Sequence, residues 1–181
     1  FTVENEVMTV RFSTRGGQIT GVTLKDYTKY APRGQRDQLI ELMDPASARF
    51  DMSFYVKNGL NNVKVNTMDY VFRAEPEYLI YNKQAPERDY LVDFNVRLVN
   101  MAPQMANQTS IGIDWSNVSY QNEKGFQNEN MYTTLAYRFP GESSIEELGM
   151  SDGAKSKSVS TAVNWVAFKQ QFFSSVMIAP E

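Results

Sequence analysis

Cysteine and histidine are both absent from this sequence. Without cysteine there is no disulfide, thiolate zinc site, iron–sulfur cluster or thiol nucleophile. Without histidine, Ser-His-Asp triads, HExxH metal sites and imidazole acid–base chemistry are excluded together. Long hydrophobic runs are missing too. No uninterrupted apolar stretch exceeds four residues, as in Val176-Met-Ile-Ala179, where a membrane span needs roughly 20. Positive charge is not in excess: 18 Lys and Arg against 21 Asp and Glu give a net charge of −3 and a pI near 5.1. That leaves no overall footprint for nucleic acid. The chain opens on Phe1 with no signal-peptide pattern, so it reads as a piece of something longer.

What is present points to β structure. A chain of 181 residues is near the size of one domain and can bury roughly 70% of its unfolded surface, and we expect a single domain over 1–181. Aromatics make up 13%, with 10 Tyr and 11 Phe, and these favour pleated, half-buried surfaces. Apolar residues alternate with polar ones at Met8–Phe12, Phe50–Val56, Tyr90–Leu98 and Ile111–Trp115, the period of a strand. No stretch of 11 or more residues shows helical periodicity. Asn58-Gly59 predicts a hairpin with positive φ at both central residues. Gly16-Gly17 predicts a reversal, and Asp44-Pro45, Ala102-Pro103 and Pro140-Gly141 mark turns. At the C-terminal end, period 2 gives strands at 163–167 and 172–179 around a turn at 169–171. Trp165 and Phe172 are expected in the core. Short strands separated by turns suggest an antiparallel sandwich.

Two stretches depart from this pattern. Residues 100–130 contain ten Asn and Gln, together with Met101 and Met105. They read as a long polar excursion with a strand inside it, or as a protruding contact surface. Ser144-Ile-Glu-Glu147 fits a capping box, which predicts one helical turn and then a connector to about Ser158.

With histidine and cysteine gone, paired carboxylates are the remaining acid–base option. The candidates are Asp44, Asp51, Asp93, Asp114 and the Glu146-Glu147 pair. Asp51, Asp93 and Asp114 fall on the polar sides of their strands, where solvated carboxylates are ordinary. No EF-hand loop, GxGxxG or GxxxxGK[ST] occurs, so calcium-loop and phosphate-loop chemistry lack support. Lys25, Lys29, Arg33 and Arg36 form a small basic run that reads either as a solvated loop or as a face for anionic lipid headgroups. No catalytic, cofactor or metal residue is assigned. Flexible methionines suit adaptable surfaces and Trp is favoured at binding hot spots. Met101, Met105 and Trp115 are therefore the candidate partner-binding residues.

Three blocks carry a family resemblance. Trp165-Val-Ala-Phe-Lys-Gln-Gln-Phe-Phe173 resembles the Trp-Val-Ala…Gln-Tyr-Phe block in the periplasmic domain of bacterial YidC membrane protein insertases. Val3-Glu-Asn-Glu6, Val10-Arg-Phe-Ser-Thr-Arg-Gly-Gly-Gln-Ile19 and Leu24-Lys-Asp-Tyr27 are similar to that domain's first strand, its Thr-Arg-Gly-Gly reversal and its second strand. Asp89-Tyr-Leu-Val-Asp-Phe-Asn-Val96 is similar to its central strand. The blocks fall in family order. The stretch 74–88 looks short for the family's strand-rich region. The family domain continues past the Phe-Phe segment, so the resemblance implies that 1–181 is its N-terminal and central part.

The resemblance implies a large twisted antiparallel β-sandwich similar to galactose mutarotase. Mutarotases use histidine, which is lacking here, so that activity does not transfer with the fold. It further implies a non-enzymatic accessory domain on the periplasmic side of the inner membrane. The partners implied are the Sec translocase and nascent membrane proteins, with the membrane-embedded part elsewhere in the parent protein. Two other readings compete: a carbohydrate-binding β-sandwich with an aromatic cleft, and a sugar enzyme using carboxylates alone.

Overall fold

Eleven strands, one short α-helix and a 3-10 turn at Thr67–Asp69 make up the regular structure of a computed structural model, in which residues 1–33, 35, 37–72, 90–96, 98–107, 110–148 and 156–179 are described. The class is all-β with antiparallel sheets, as expected. The stretch 74–88, Arg36 of the basic run and most of the connector after Glu147 lie outside the described residues. The chain separates into two compact units, Phe1–Tyr27 with Leu39–Tyr120, and Thr28–Gln38 with Gln121–Glu181.

The first unit begins with strands β1 (Thr2–Glu4), β2 (Met8–Phe12) and β3 (Ile19–Lys29), followed by β4 (Gln38–Glu41), in a four-stranded sheet of that order. The β1–β2 turn closes because Asn5 Oδ1 accepts the amides of Val7 and Met8 at 3.0 and 2.9 Å, an Asx turn that adds to the Asn5 N–H to Met8 O bond at 3.1 Å. Alternation on β2 sends Met8 and Val10 inward. They join Val7, Leu24, Ile40 and Met43 in the buried core. Arg11, Thr23 and Glu41 link β2, β3 and β4. Arg11 donates to Thr23 Oγ1 at 2.7 Å and pairs with Glu41, while Thr23 Oγ1 donates to Glu41 at 2.6 Å.

The Gly16-Gly17 reversal has φ of 73° and 63°, a region that glycine enters without steric cost. It docks against residues 67–72 through Gly16 N–H to Tyr70 O at 2.9 Å and Phe72 N–H to Thr14 O at 2.7 Å. A Cβ on Gly16 would come within 2.6 Å of Met68 Sδ.

A three-stranded sheet completes the unit: β5 (Arg49–Asn58) lies between β6 (Asn61–Asn66) and β7 (Gly112–Ser116). The β5–β6 hairpin forms where Asn-Gly predicted it, but one residue later than the type I′ register. Asn58 pairs with Asn61, so Gly59 and Leu60 are the loop residues. Gly59 has φ 61° and neither Asn58 nor Leu60 has positive φ. Glycine at the first central position is the type II′ pattern. A second correction concerns Tyr90–Leu98. No strand forms over 90–96, and Tyr90, Val92, Phe94, Val96 and Leu98 are all exposed rather than lining a core. Phe94 still packs edge-on against Phe50, with centroids 5.5 Å apart.

The second unit holds α1 (Phe126–Tyr132) and a sheet ordered β11-β10-β8-β9, from β8 (Thr134–Arg138), β9 (Glu146–Leu148), β10 (Trp165–Lys169) and β11 (Ser174–Ile178). The C-terminal hairpin follows the period-2 reading with its turn shifted to 170–173. Two expectations fail here. Glu146–Leu148 is a strand, not the helical turn of a capping box: it pairs antiparallel with β8, Ala136 opposite Glu147. Ladder bonds outweigh a weak local cap, and Lys157 and Lys169 neutralise Glu146 and Glu147 at 3.4 and 2.8 Å. Phe172 is not core, being 66% exposed in the turn, and Trp165 is only half-buried. β11 is an edge strand of alternating exposure.

Candidate functional site

The candidate partner-binding residues fall on or beside β5. Phe50, Met52, Phe54 and Val56 share one face of that strand by alternation. The register sets Trp115 opposite Phe50 and Ile113 opposite Met52, and Met105 bridges to Val56. Directly opposed residues share a face, so Met105, Ile113 and Trp115 extend the apolar row of β5 sideways. Met101 stands at the head of the turn that delivers Met105, whose amide bonds Met101 O at 2.9 Å. The turn is tied down by Lys57 N–H to Gln104 O at 2.8 Å and Ala106 N–H to Tyr55 O at 3.0 Å. Met101, Met105 and Trp115 are each half-buried and Ile113 is 52% exposed. The sequence placed Met101 and Met105 in a loose excursion; they sit instead on a pinned extension of the sheet edge.

The carboxylates divide by environment. Asp51 was expected on a solvated strand face, yet it is 3% exposed. Its carboxylate accepts Thr67 Oγ1 at 2.9 Å, the Met68 amide at 3.0 Å and Arg49 at 2.9 Å. Burial pushes its pKa up, but the three donors outweigh that and hold it below the usual carboxylate range. Asp114 lies opposite Asp51 across the β5–β7 ladder and shares Arg49 with it at 3.1 Å. Two carboxylates are thus brought together around one guanidinium. Asp51 is committed to a turn and carries no proton to donate. The missed signal was Thr67, whose hydroxyl also accepts the Met52 amide at 3.0 Å; nothing in sequence spacing links 51 to 67. Asp44 is held below its ordinary range by the Ala46 amide and by the Tyr120 hydroxyl, which donates at 2.9 Å. Asp93 stands exposed on the 90–96 segment. Among the described residues no group of three or more acidic side chains is placed to hold a metal ion.

A second feature belongs to the second unit. Trp165, Ala167 and Lys169 of β10 share a face with Val176 and Ile178 of β11 and with Ala136 and Glu147. The adjacent alanines leave a shallow hollow of about 350 Å³, bounded by Trp165, Ile145, Val176 and Ile178. Its charged groups, Glu147 and Lys169, are paired with each other.

These features define an all-β chain with apolar sheet surfaces, in which Asp51, Asp114, Glu146 and Glu147 are engaged in ion pairs. The match is to a family. The model of the YidC periplasmic domain covers residues 85–181, and the chain belongs to that family, which places it on the periplasmic side of the bacterial inner membrane. Curated relatives called membrane protein insertase YidC are similar along nearly the whole chain. One from Bacteroides fragilis is 29% identical, with 99% of this chain and 30% of the relative covered. One from Phocaeicola vulgatus is 31% identical with the same coverage. One from Porphyromonas gingivalis is 25% identical over 96% of this chain and 29% of the relative. The chain therefore spans about 30% of the length of the curated relatives it matches. No solved structure matches it. Among the described residues no helix is long and apolar enough to cross a membrane.

Proposed function

We propose that residues 1–181 act as one non-enzymatic accessory domain of a membrane protein insertase. In this reading the domain supports insertion by contacting the Sec translocase or emerging membrane proteins. The supporting observation is the pinned apolar margin of the β5–β7 sheet, where Met101, Met105 and Trp115 stand half-buried beside exposed Ile113. Adaptable methionines next to a tryptophan on a rigid support suit a contact surface. Catalysis has little to draw on: histidine and cysteine are lacking, Asp51 is tied to three donors, and Glu146 and Glu147 each pair with a lysine.

Photo-crosslinkers placed at positions 101 and 105 of the full-length parent test this reading in cells. Capture of translocase subunits or newly made membrane proteins is expected there, and little at position 57 or 60. Equal or weaker capture at 101 and 105 would remove the reason for choosing this surface.

The carbohydrate-binding alternative draws on Trp165 beside the hollow of the second unit. That hollow is lined mainly by apolar groups, with Ser174 as its one uncharged polar side chain, a poor match to a ligand bearing many hydroxyls.

A further inference from the structure

Helix α1 is inside out. Its one buried residue is Glu129, 5% exposed, whereas Phe126, Met131 and Tyr132 are 61, 60 and 48% exposed. A helix on a globular surface ordinarily turns its apolar side inward and its charge outward. Here the inversion has a local cause. The Glu129 carboxylate accepts the Asn122 amide at 2.9 and 3.0 Å and the Glu123 amide at 3.1 Å, which fixes the chain entering the helix. At about 100° per residue, Met131 projects nearly opposite Glu129. Phe126 and Tyr132 stand on either side of the buried line. The remaining exposed side chains of α1 are the neutral amides Gln127, Asn128 and Asn130.

The surroundings of the helix add cations and a further aromatic. Asn122 O accepts the Tyr30 amide at 2.7 Å, bringing the Thr28–Gln38 segment beside the helix entry. The Lys124 ammonium lies 5.9 Å from the centroid of the Tyr30 ring, which is 48% exposed. Lys29 and Arg33 flank Tyr30 in sequence, and the acids of these stretches outside α1 are Glu123 and Asp37.

We propose that α1 with Tyr30 and Lys124 forms an interfacial contact with an anionic bilayer surface. Met131 enters the headgroup–acyl boundary together with Tyr132, about 100° from it around the helix, while Phe126 lies on the far flank. Tyr30 and Lys124, with exposed Arg33 three residues on, meet the phosphate headgroups. Exposed apolar side chains among neutral amides, with Tyr and Lys at the margin, are the composition of an interfacial anchor. Lipid is favoured over a protein partner because α1 offers no exposed carboxylate and its entry offers a lysine, complementary to an anionic surface. The proposal rests on the insertase reading only for the nearness of a membrane. It concerns the second unit, whereas the contact surface around Met105 belongs to the first. One short helix and a few cations give weak, reversible binding.

The absence of cysteine makes the test clean. An environment-sensitive fluorophore on Met131→Cys of the 181-residue chain should shift to the blue and brighten with phosphatidylglycerol–phosphatidylcholine vesicles. The response should be much smaller with phosphatidylcholine alone and with a label on Leu60→Cys, where the parent side chain is fully exposed. Lys124→Ala, with circular dichroism unchanged, should weaken vesicle binding about fivefold, the effect of roughly one cation at an anionic surface. A silent label at 131 with phosphatidylglycerol vesicles, or an equal response at 60, would overturn the proposal. So would capture of a protein by a crosslinker at 131 while the label stays silent on vesicles, which would reassign the helix to a protein-facing role. Failure here leaves the crosslinks expected at 101 and 105 untouched.

Discussion

At the scale of single residues, Asp51 has the most at stake. Thr67, Met68 and Arg49 all donate to one buried carboxylate, so removing it strands three donors at once. Asp51→Ala should cost about 2–4 kcal/mol in chemical denaturation. The pH dependence has a definite sign. The folded carboxyl titrates below the usual range, so its contribution is full above the unfolded value of about 3.9. It is lost as pH falls through the lower, folded value. The stability gap between the parent and Asp51→Asn should therefore hold at neutral pH and shrink as pH falls below about 4. A gap that is constant or widens on acidification would show that the carboxylate is not held ionised by these donors. Gly16 and Gly59 make a second comparison, since both have positive φ but differ in space. Gly59 has nothing near its missing Cβ, whereas Gly16 has Met68 against it. Gly59→Ala should cost about 1 kcal/mol from backbone strain alone. Gly16→Ala should cost more, about 2–3 kcal/mol. Equal losses in denaturant would mean that Met68 yields freely.

At the scale of elements, period 2 was a good guide to strands that pair and a poor guide to what they bury. β2, β5 and β7 lie where alternation put them, and the C-terminal hairpin turns within two residues of its expected place. The alternation over Tyr90–Leu98 is the clearest in the chain, yet no strand forms over 90–96. Pairing depends on a neighbour, and a local pattern does not contain one. The same reason explains β9: a Ser-x-x-Glu spacing describes a helix start, but the β8 ladder supplies bonds that the spacing does not register. Burial is likewise tertiary. Period 2 assigns both Phe54 and Phe172 to strands, yet one is 8% and the other 66% exposed. Phe54→Ala should cost about 3–5 kcal/mol, and Phe172→Ala under about 1 kcal/mol. Comparable losses would contradict the placement of the C-terminal turn.

At the scale of the whole molecule, family membership was legible in blocks rather than in any single motif. The Thr14-Arg-Gly-Gly17 reversal is read directly from sequence because two glycines at positive φ leave few alternatives. The proposed contact surface was only partly legible. Residue type nominated Met101, Met105 and Trp115, but their alignment with the apolar row of β5 follows from the register of β7 and from the Val56–Met105 bridge. The inverted helix was illegible, because Glu129 is buried through backbone amides of residues 122 and 123 that no pattern marks.

We propose that this chain works by contact through the β5–β7 margin. The most direct measurement is the affinity of the purified chain for Sec translocase in lipid nanodiscs, compared with that of a Met101→Gln, Met105→Gln variant of matched unfolding midpoint. The account predicts measurable binding that the variant weakens about tenfold, or about 1.4 kcal/mol. No binding by the parent, or equal binding by the variant, would contradict it.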